Sequence, residues 1–360
     1  MLQSLILSIA QTLFLVHPAN IPYYSLLTTY IADVPQQILF ANPDAVHQID
    51  KSGNAVWLEH RWLQDGVQDV EIVALSARLR ANGIRYVYPH LTPADGEGRL
   101  PAYSPEAAKR FCRLVRRQYP GIKILPWVGG VQSGFHQMRP GTVRLDSDVY
   151  LQKFSDECVA MIKGAEFDGI HLNVEPVESG DSRLLRWLDY LKIRLGGKKI
   201  LSVAAGKPSF FEEFNLSPLR AWDLDYYAQV AAKCDQLVIM NYDTGIFHPF
   251  LYSLFVMEKT GAILRRLDTD RISCKVLLGV PTYDDAPRHQ QSAENIVSAV
   301  RGLSATLSGA GLRTGNFEGL ALYAYWTTDE NEWQAFQGLW LGKIKDQKSN
   351  KHTSTGYSPE

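Results

Sequence analysis

A single-domain α/β (β/α)8, or TIM, barrel is the fold class this sequence predicts, and three observations carry that reading. Apolar, β-branched or aromatic runs recur at 55–59, 85–88, 122–127, 168–174, 200–204, 236–240, 275–280 and 319–326. Helix-like stretches separate them at 69–82, 105–119, 148–163, 181–196, 219–233, 253–268, 292–308 and 329–340. Strand–helix units at intervals of roughly 30 to 45 residues are βα repeats, and eight of them within about 280 residues close into a barrel. The third observation is negative. An open doubly wound sheet carries a glycine-rich phosphate loop after its first strand, and here that stretch reads WLEHRWLQDG.

Local chemistry supports the joints. Asn82-Gly83 ends the first helix, where glycine suits a left-handed cap. Ser104-Pro105-Glu106 opens the second, with proline at the first helical position. Ser292, Ala293 and Glu294 are expected to open the seventh. Strands alternating with helices imply a parallel sheet. Between Tyr283 and Leu320 there is room for one helix and for no inserted domain.

The barrel is assigned to residues 55–342. Residues 1–54 read as a lead-in, partly helical around Tyr23–Ile31. Within it Leu5–Val16 is mostly apolar, with Leu2, Leu5, Ile6, Ile9, Leu13 and Val16 at helical spacing. The first Lys or Arg is Lys51. A signal peptide or anchor and an amphipathic packing helix both fit, so export and cytoplasmic retention stay open; membrane association is open only through this segment. Residues 343–360 form a polar tail without periodicity, expected to be disordered.

The 360 residues carry 37 Lys and Arg against 38 Asp and Glu, a formal charge of −1. That balance argues against a nucleic-acid partner, which calls for a basic excess or stripe. Of the four cysteines, no two lie at CxxC spacing, so neither a zinc site nor a disulfide framework is expected. Buried free thiols are the expectation. Cys234 and Cys274 each precede a predicted strand, which leaves a bridge between them open in an oxidising compartment. No dinucleotide fingerprint, P-loop or metal-ligand run appears, so no cofactor and no metal is expected.

Candidate chemistry concentrates on the fourth strand, Asp168-Gly169-Ile170-His171-Leu172-Asn173-Val174-Glu175. Side chains alternate along a strand. Ile170, Leu172 and Val174 take the outer face against the helices. His171, Asn173 and Glu175 then point into the barrel, with Glu175 at the C-terminal mouth where barrel active sites lie. Three inward polar groups need a reason, because unpaired buried polarity is costly.

This strand resembles the family 18 glycoside hydrolases, the chitinases and related endo-N-acetylglucosaminidases, whose motif is Asp-Gly-x-Asp-x-Asp-x-Glu. Asp168, Gly169 and Glu175 match; His171 and Asn173 replace the inner aspartates. PWVGG at 126–130 resembles the family's Ser-x-Gly-Gly with Trp127 for serine, MNYD at 240–243 its Met-x-Tyr-Asp, and Trp326 its strand-eight aromatic. The resemblance implies a glycosidase acting on an N-acetylhexosamine glycan. Glu175 would protonate the glycosidic oxygen, and the substrate's 2-acetamido group would attack the anomeric carbon, an exception to the two-carboxylate scheme. By the same resemblance Asn173 would orient the acetamido group and Tyr242 would bond its oxygen. Asp243 and Asn241 would bind the sugar, Trp326 and Trp127 would stack on it, and His171 and Tyr88 would line the site. Asn-x-Glu also resembles the family 85 endo-N-acetylglucosaminidases, which use the same substrate-assisted chemistry. His171 is expected to hydrogen-bond Asn173. A retaining mechanism with adjacent Asn and Glu on strand four and a second Glu on strand seven fits less well, since strand seven ends in VPTYDD. The alternative from another class is a catalytically silent, chitinase-like carbohydrate-binding protein.

Overall fold

The computed structural model describes residue 46 and residues 51–91, 94–100, 103–133, 141–208, 221–284, 286–309 and 312–343. The N-terminal apolar segment and the tail beyond Lys343 lie outside the described residues. No described helix is long and apolar enough to cross a membrane.

The strands are β1 (Asn54–Leu58), β2 (Ile84–Pro89), β3 (Lys123–Ile124), β4 (Trp127–Gln132), β5 (Thr142–Val143), β6 (Gly169–Glu175), β7 (Ile200–Ala205), β8 (Gln236–Met240), β9 (Lys275–Pro281) and β10 (Phe317–Tyr323). The helices are α1 (Asp69–Ala81), α2 (Pro105–Gln118), α3 (Asp148–Ala165), α4 (Ser182–Leu195), α5 (Leu224–Ala231), α6 (Pro249–Thr269), α7 (Ile296–Leu307) and α8 (Glu330–Ala335). The strand order is β3-β2-β1-β10-β9-β8-β7-β6-β4-β5, and the pairings are parallel.

The expected third strand is broken into β3 and β4, because Pro126 has no N–H for the ladder. Its two halves divide the work of closing the barrel. Leu125 N–H reaches Val87 of β2 at 3.0 Å, while the Pro126 carbonyl accepts from His171 of β6 at 2.9 Å. A parallel bridge from His90 to Trp127 completes the ring. The expected eight-unit barrel is therefore the observed one. Between β9 and β10, α7 is the one helix among the described residues.

Helix starts follow capping chemistry. Ser104, Ser147, Asp223 and Asn295 accept backbone N–H bonds at the starts of α2, α3, α5 and α7. His248 caps α6 ahead of Pro249, so that helix begins four residues earlier than the periodicity suggests. The seventh helix begins at Ile296, and Glu294 is not in its first turn: it is turned inward and buried.

Two apolar layers result. Outward strand residues such as Ile170, Leu172 and Val174 pack with the helices in the larger core. A smaller cluster fills the barrel itself, with Ala55, Trp57, Tyr86, Tyr88, Leu125, Val238, Leu277 and Ala321. The four cysteines are free and buried. Cys234 and Cys274 face each other with Sγ atoms 3.6 Å apart, well beyond the roughly 2.05 Å of a disulfide.

The two glycines of PWVGG have a steric role. A Cβ on Gly129 would lie 1.7 Å from the Asn173 carbonyl oxygen, and one on Gly130 2.0 Å from that of Gly141. Gly129 also sits at φ +143°, so β4 approaches β6 this closely only without side chains. Gly129→Ala is expected to cost about 3 kcal/mol or more in urea unfolding. Gly164→Ala in α3, where an added Cβ meets nothing within 4 Å, should instead gain up to about 1 kcal/mol.

Candidate active site

The inward face of β6 carries three polar side chains at three depths. His171 is deepest and has no solvent exposure. Its ring stacks on Tyr88 at 4.0 Å and meets Trp57 edge-on at 5.4 Å. Its Nδ1 lies 2.8 Å from Ser202 Oγ. The expected bond from His171 to Asn173 is not formed: Ser202, directly across the β6–β7 pairing, takes that nitrogen instead. Burial lowers the His171 pKa to about 3, so the ring is neutral.

Asn173 stands midway. Its amide Nδ2 donates to Glu175 Oε2 at 3.5 Å, a long contact. Its Oδ1 is buried and has no partner. Glu175 stands at the mouth, exposed to the cleft. Its pKa is raised. Burial is the main cause, and the Asn173 bond and the Lys207 charge oppose it while the Asp243 charge adds to it.

These groups border a cavity of about 170 Å³ lined by Trp57, Trp127, Asn173, Glu175, Lys207, Met240, Tyr242, Asp243 and Tyr323. That volume is below the usual range for a whole drug-sized ligand. Tyr323 is the hub of its aromatic floor. It stacks on Tyr242 at 5.2 Å with planes 13° apart, and Trp57 and Trp127 meet it edge-on at 5.4 and 6.2 Å. Tyr242 is buried, which raises its phenol pKa well above the ordinary value, with the Glu175 charge next in effect. The phenol is therefore a hydrogen-bond donor at any working pH. Asp243 takes the left-handed conformation, φ +53°. Its Oδ1 accepts from the Tyr283 hydroxyl at 2.6 Å, and its carbonyl accepts from Lys207 Nζ at 2.8 Å.

Of the residues singled out from sequence, Glu175, Asn173, Tyr242, Asp243 and Trp127 meet around this cavity. Four do not line it. His171 and Tyr88 are sealed beneath its floor, where Tyr88 donates to Gln236 at 2.7 Å. Asn241 is turned outward, and its backbone carbonyl accepts from the hydroxyl of Tyr252 in α6 at 2.6 Å. Trp326 lies three residues beyond the end of β10, is 43% exposed, and touches the site only through Tyr323 at 5.9 Å. Asp168, which shares the motif, sits at the opposite end of β6. There burial raises its pKa, but the Ile124 N–H and Arg116 outweigh that and hold it below the ordinary value. Sequence reasoning missed Trp57, Lys207, Met240 and Tyr323. Alternation carried a signal for one pair: if Met240 and Tyr242 both face inward, Asn241 between them must face out.

Fold and site together define a barrel whose mouth carries two carboxyls, Glu175 and Asp243, over an aromatic-floored cavity. No protein-family model and no curated protein matches the chain. Solved structures do resemble it. The C-terminal domain of a putative chitinase from Desulfitobacterium hafniense aligns with TM-score 0.56 at 15% identity, over 81% of this chain and 99% of that one. A plant class V chitinase mutant from Cycas revoluta, in complex with (GlcNAc)3, aligns with TM-score 0.54 at 13% identity, over 80% and 99%. The spore cortex-lytic enzyme SleL of Bacillus cereus aligns with TM-score 0.52 at 13% identity, over 79% and 73%. The fold is the (β/α)8 barrel of the family 18 chitinases.

The neutral His171 has a consequence for stability. In the unfolded chain a histidine titrates near about 6.5. Above that value both states are neutral. As pH falls from there towards 3, only the unfolded chain takes up the proton. Stability should then drop by up to about 1.4 kcal/mol per pH unit. Urea titrations at pH 7, 5.5 and 4.5 should show a shallower acid slope for His171→Gln than for wild type.

Proposed function

We propose that the protein is a glycoside hydrolase acting on an N-acetylhexosamine-containing glycan, with Glu175 as its acid/base and the substrate's own acetamido group as nucleophile. The observation that carries this reading is the Glu175 carboxyl, its pKa raised, sharing one cavity with the Asn173 amide and the Tyr242 phenol. A carboxyl whose pKa is raised holds its proton to higher pH than an ordinary carboxylate, which is the direction a leaving-group acid needs.

The chemistry runs in two halves. Glu175 protonates the glycosidic oxygen as the bond from that oxygen to the anomeric carbon breaks. The acetamido carbonyl oxygen closes on the anomeric carbon and forms an oxazolinium ring. A water then attacks the same carbon, Glu175 takes the water's proton, and the ring reopens to the retained sugar. The unpartnered Asn173 Oδ1 accepts the acetamido N–H, and the Tyr242 hydroxyl donates to the acetamido oxygen. A neutral amide supplies less stabilisation of the cationic ring than a carboxylate would, so a modest rate is expected. The complexed neighbour from Cycas revoluta binds (GlcNAc)3, which makes chito-oligosaccharides the first substrate to offer.

Product analysis by mass spectrometry on chito-oligosaccharides, peptidoglycan fragments and N-glycans tests this reading. Wild type should cleave at least one of them, and Glu175→Gln should be slower by about 10²-fold or more. Glycan binding without cleavage in both proteins would establish the carbohydrate-binding alternative instead.

The charges around Glu175 fix the sign of a second result. Activity should fall as pH rises through the Glu175 pKa and the acid loses its proton. Lys207 favours the carboxylate and Asp243 disfavours it. Lys207→Ala should therefore move the alkaline limb of the rate profile to higher pH, and Asp243→Asn to lower pH.

A further inference from the structure

At the end of the barrel away from the cleft, one reactive pair of side chains has no part in the proposed chemistry. Cys234 lies in the turn between α5 and β8, and Cys274 immediately precedes β9. They are 6% and 3% exposed. Their Sγ atoms stand 3.6 Å apart across 40 positions of sequence, and either thiol can donate to the other. Cys112 in α2 and Cys158 in α3 are buried as deeply, but neither has another thiol in hydrogen-bond range among the described residues. Facing thiols are therefore particular to the one pair.

The backbones that carry the two thiols are held by the sheet. β8 and β9 pair Gln236 with Lys275, and the Lys275 N–H donates to the Asp235 carbonyl at 2.9 Å. The Cys234 N–H donates to the Ala231 carbonyl at the end of α5, at 3.4 Å. Asp235 is anchored in turn, since its carboxylate accepts from the Leu201 N–H at 2.8 Å and from Lys192 of α4. Bonded sulfurs stand about 2.05 Å apart, so about 1.5 Å remains to be closed. That is within reach of rotation about the two Cα–Cβ bonds, with the ladder left intact.

We propose that Cys234 and Cys274 form a disulfide when the chain folds in the presence of a low-molecular-weight disulfide such as oxidised glutathione, tying β8 to β9 at the N-terminal end of the barrel strands. One cysteine, as its thiolate, attacks a sulfur of the oxidant and expels one glutathione thiolate. The second cysteine then attacks the mixed disulfide, forms the Cys234–Cys274 bond and expels the other. The protein loses two hydrogens, and the oxidant is reduced to two thiols. The bond closes a loop that holds β8 and α6, and so it removes freedom from the unfolded chain. In the folded chain the reaction is slow. The hydrogen bond with Cys234, burial and the Asp235 charge hold the Cys274 thiol well above its ordinary pKa, with Lys192 opposing, and a scarce thiolate is a poor nucleophile. The inference does not rest on glycan cleavage, and its test needs no substrate.

The full chain is unfolded in urea with its thiols reduced, then refolded either with reduced glutathione alone or with reduced and oxidised glutathione together. Remaining thiols are alkylated with N-ethylmaleimide in urea, and intact and peptide masses are read. Refolding with the oxidant should leave only Cys112 and Cys158 alkylated and should yield one peptide pair joined through Cys234 and Cys274. The oxidised wild type should unfold at higher urea than the reduced one. Cys234→Ser and Cys274→Ser should each abolish that shift, and Cys112→Ser should keep it. The wild-type peptide map decides the pairing even if a serine variant does not fold. Four alkylated thiols after oxidative refolding, a different pairing, or a bond that leaves the urea midpoint unchanged or lower would overturn the proposal.

Discussion

The pleat of β6 is the constraint on which the rest of the structure depends. The strand is held between β4 and β7, and its Ile170, Leu172 and Val174 are committed to the helical layer. The intervening residues have no choice but to enter the barrel. A one-residue slip would exchange the two sets, placing three apolar side chains in the cavity and His171 among the helices. Gly129 makes the close packing of β4 on this strand possible. The site is thus a by-product of register, set by apolar packing on the other face.

Depth then differentiates the three inward groups. His171 lies among aromatic rings and stays neutral. Below it the interior polar groups satisfy one another, with Tyr88 on Gln236 and both Gln236 and Tyr86 on Glu318. Asn173 lies where one of its amide atoms is paired and the other is not. Glu175 reaches the mouth, where burial and the Asp243 charge work against Lys207 and Asn173. Local environment alone gives a sealed imidazole, a half-satisfied amide and a carboxyl with a raised pKa within five residues. The floor beneath them is built of stacked and edge-to-face ring pairs, and such pairs add about 0.5–1.5 kcal/mol each beyond burial.

Much of this was legible in the sequence, and the reasons differ by element. The eight-unit rhythm reflects the alternation of buried strands and amphipathic helices, a local property. The inward placement of His171, Asn173 and Glu175 followed from the period of two. What failed was long-range. Nothing in the run ALYAYW marks Tyr323 as the last strand residue; β10 ends there because the Ala324 carbonyl is taken by the hydroxyls of Thr282, Thr327 and Thr328. Trp326 was accordingly placed one turn too close. Lys207 and Trp57 reach the cavity from loops and strands whose relative positions only the closed barrel fixes. Glu294 read as a helix opener because the seventh helix was started four residues early, and its contact with Thr244 joins two separate loops.

The central claim is that a single carboxyl on β6 suffices because the substrate provides the nucleophile. The stereochemistry of the first-formed product tests this most directly. Proton NMR of a chito-oligosaccharide digest, recorded before mutarotation, should show the new reducing end in the same anomeric configuration as the bond that was cut. An inverted anomer would contradict the account, since it requires a second carboxylate to activate water directly on the opposite face of the ring.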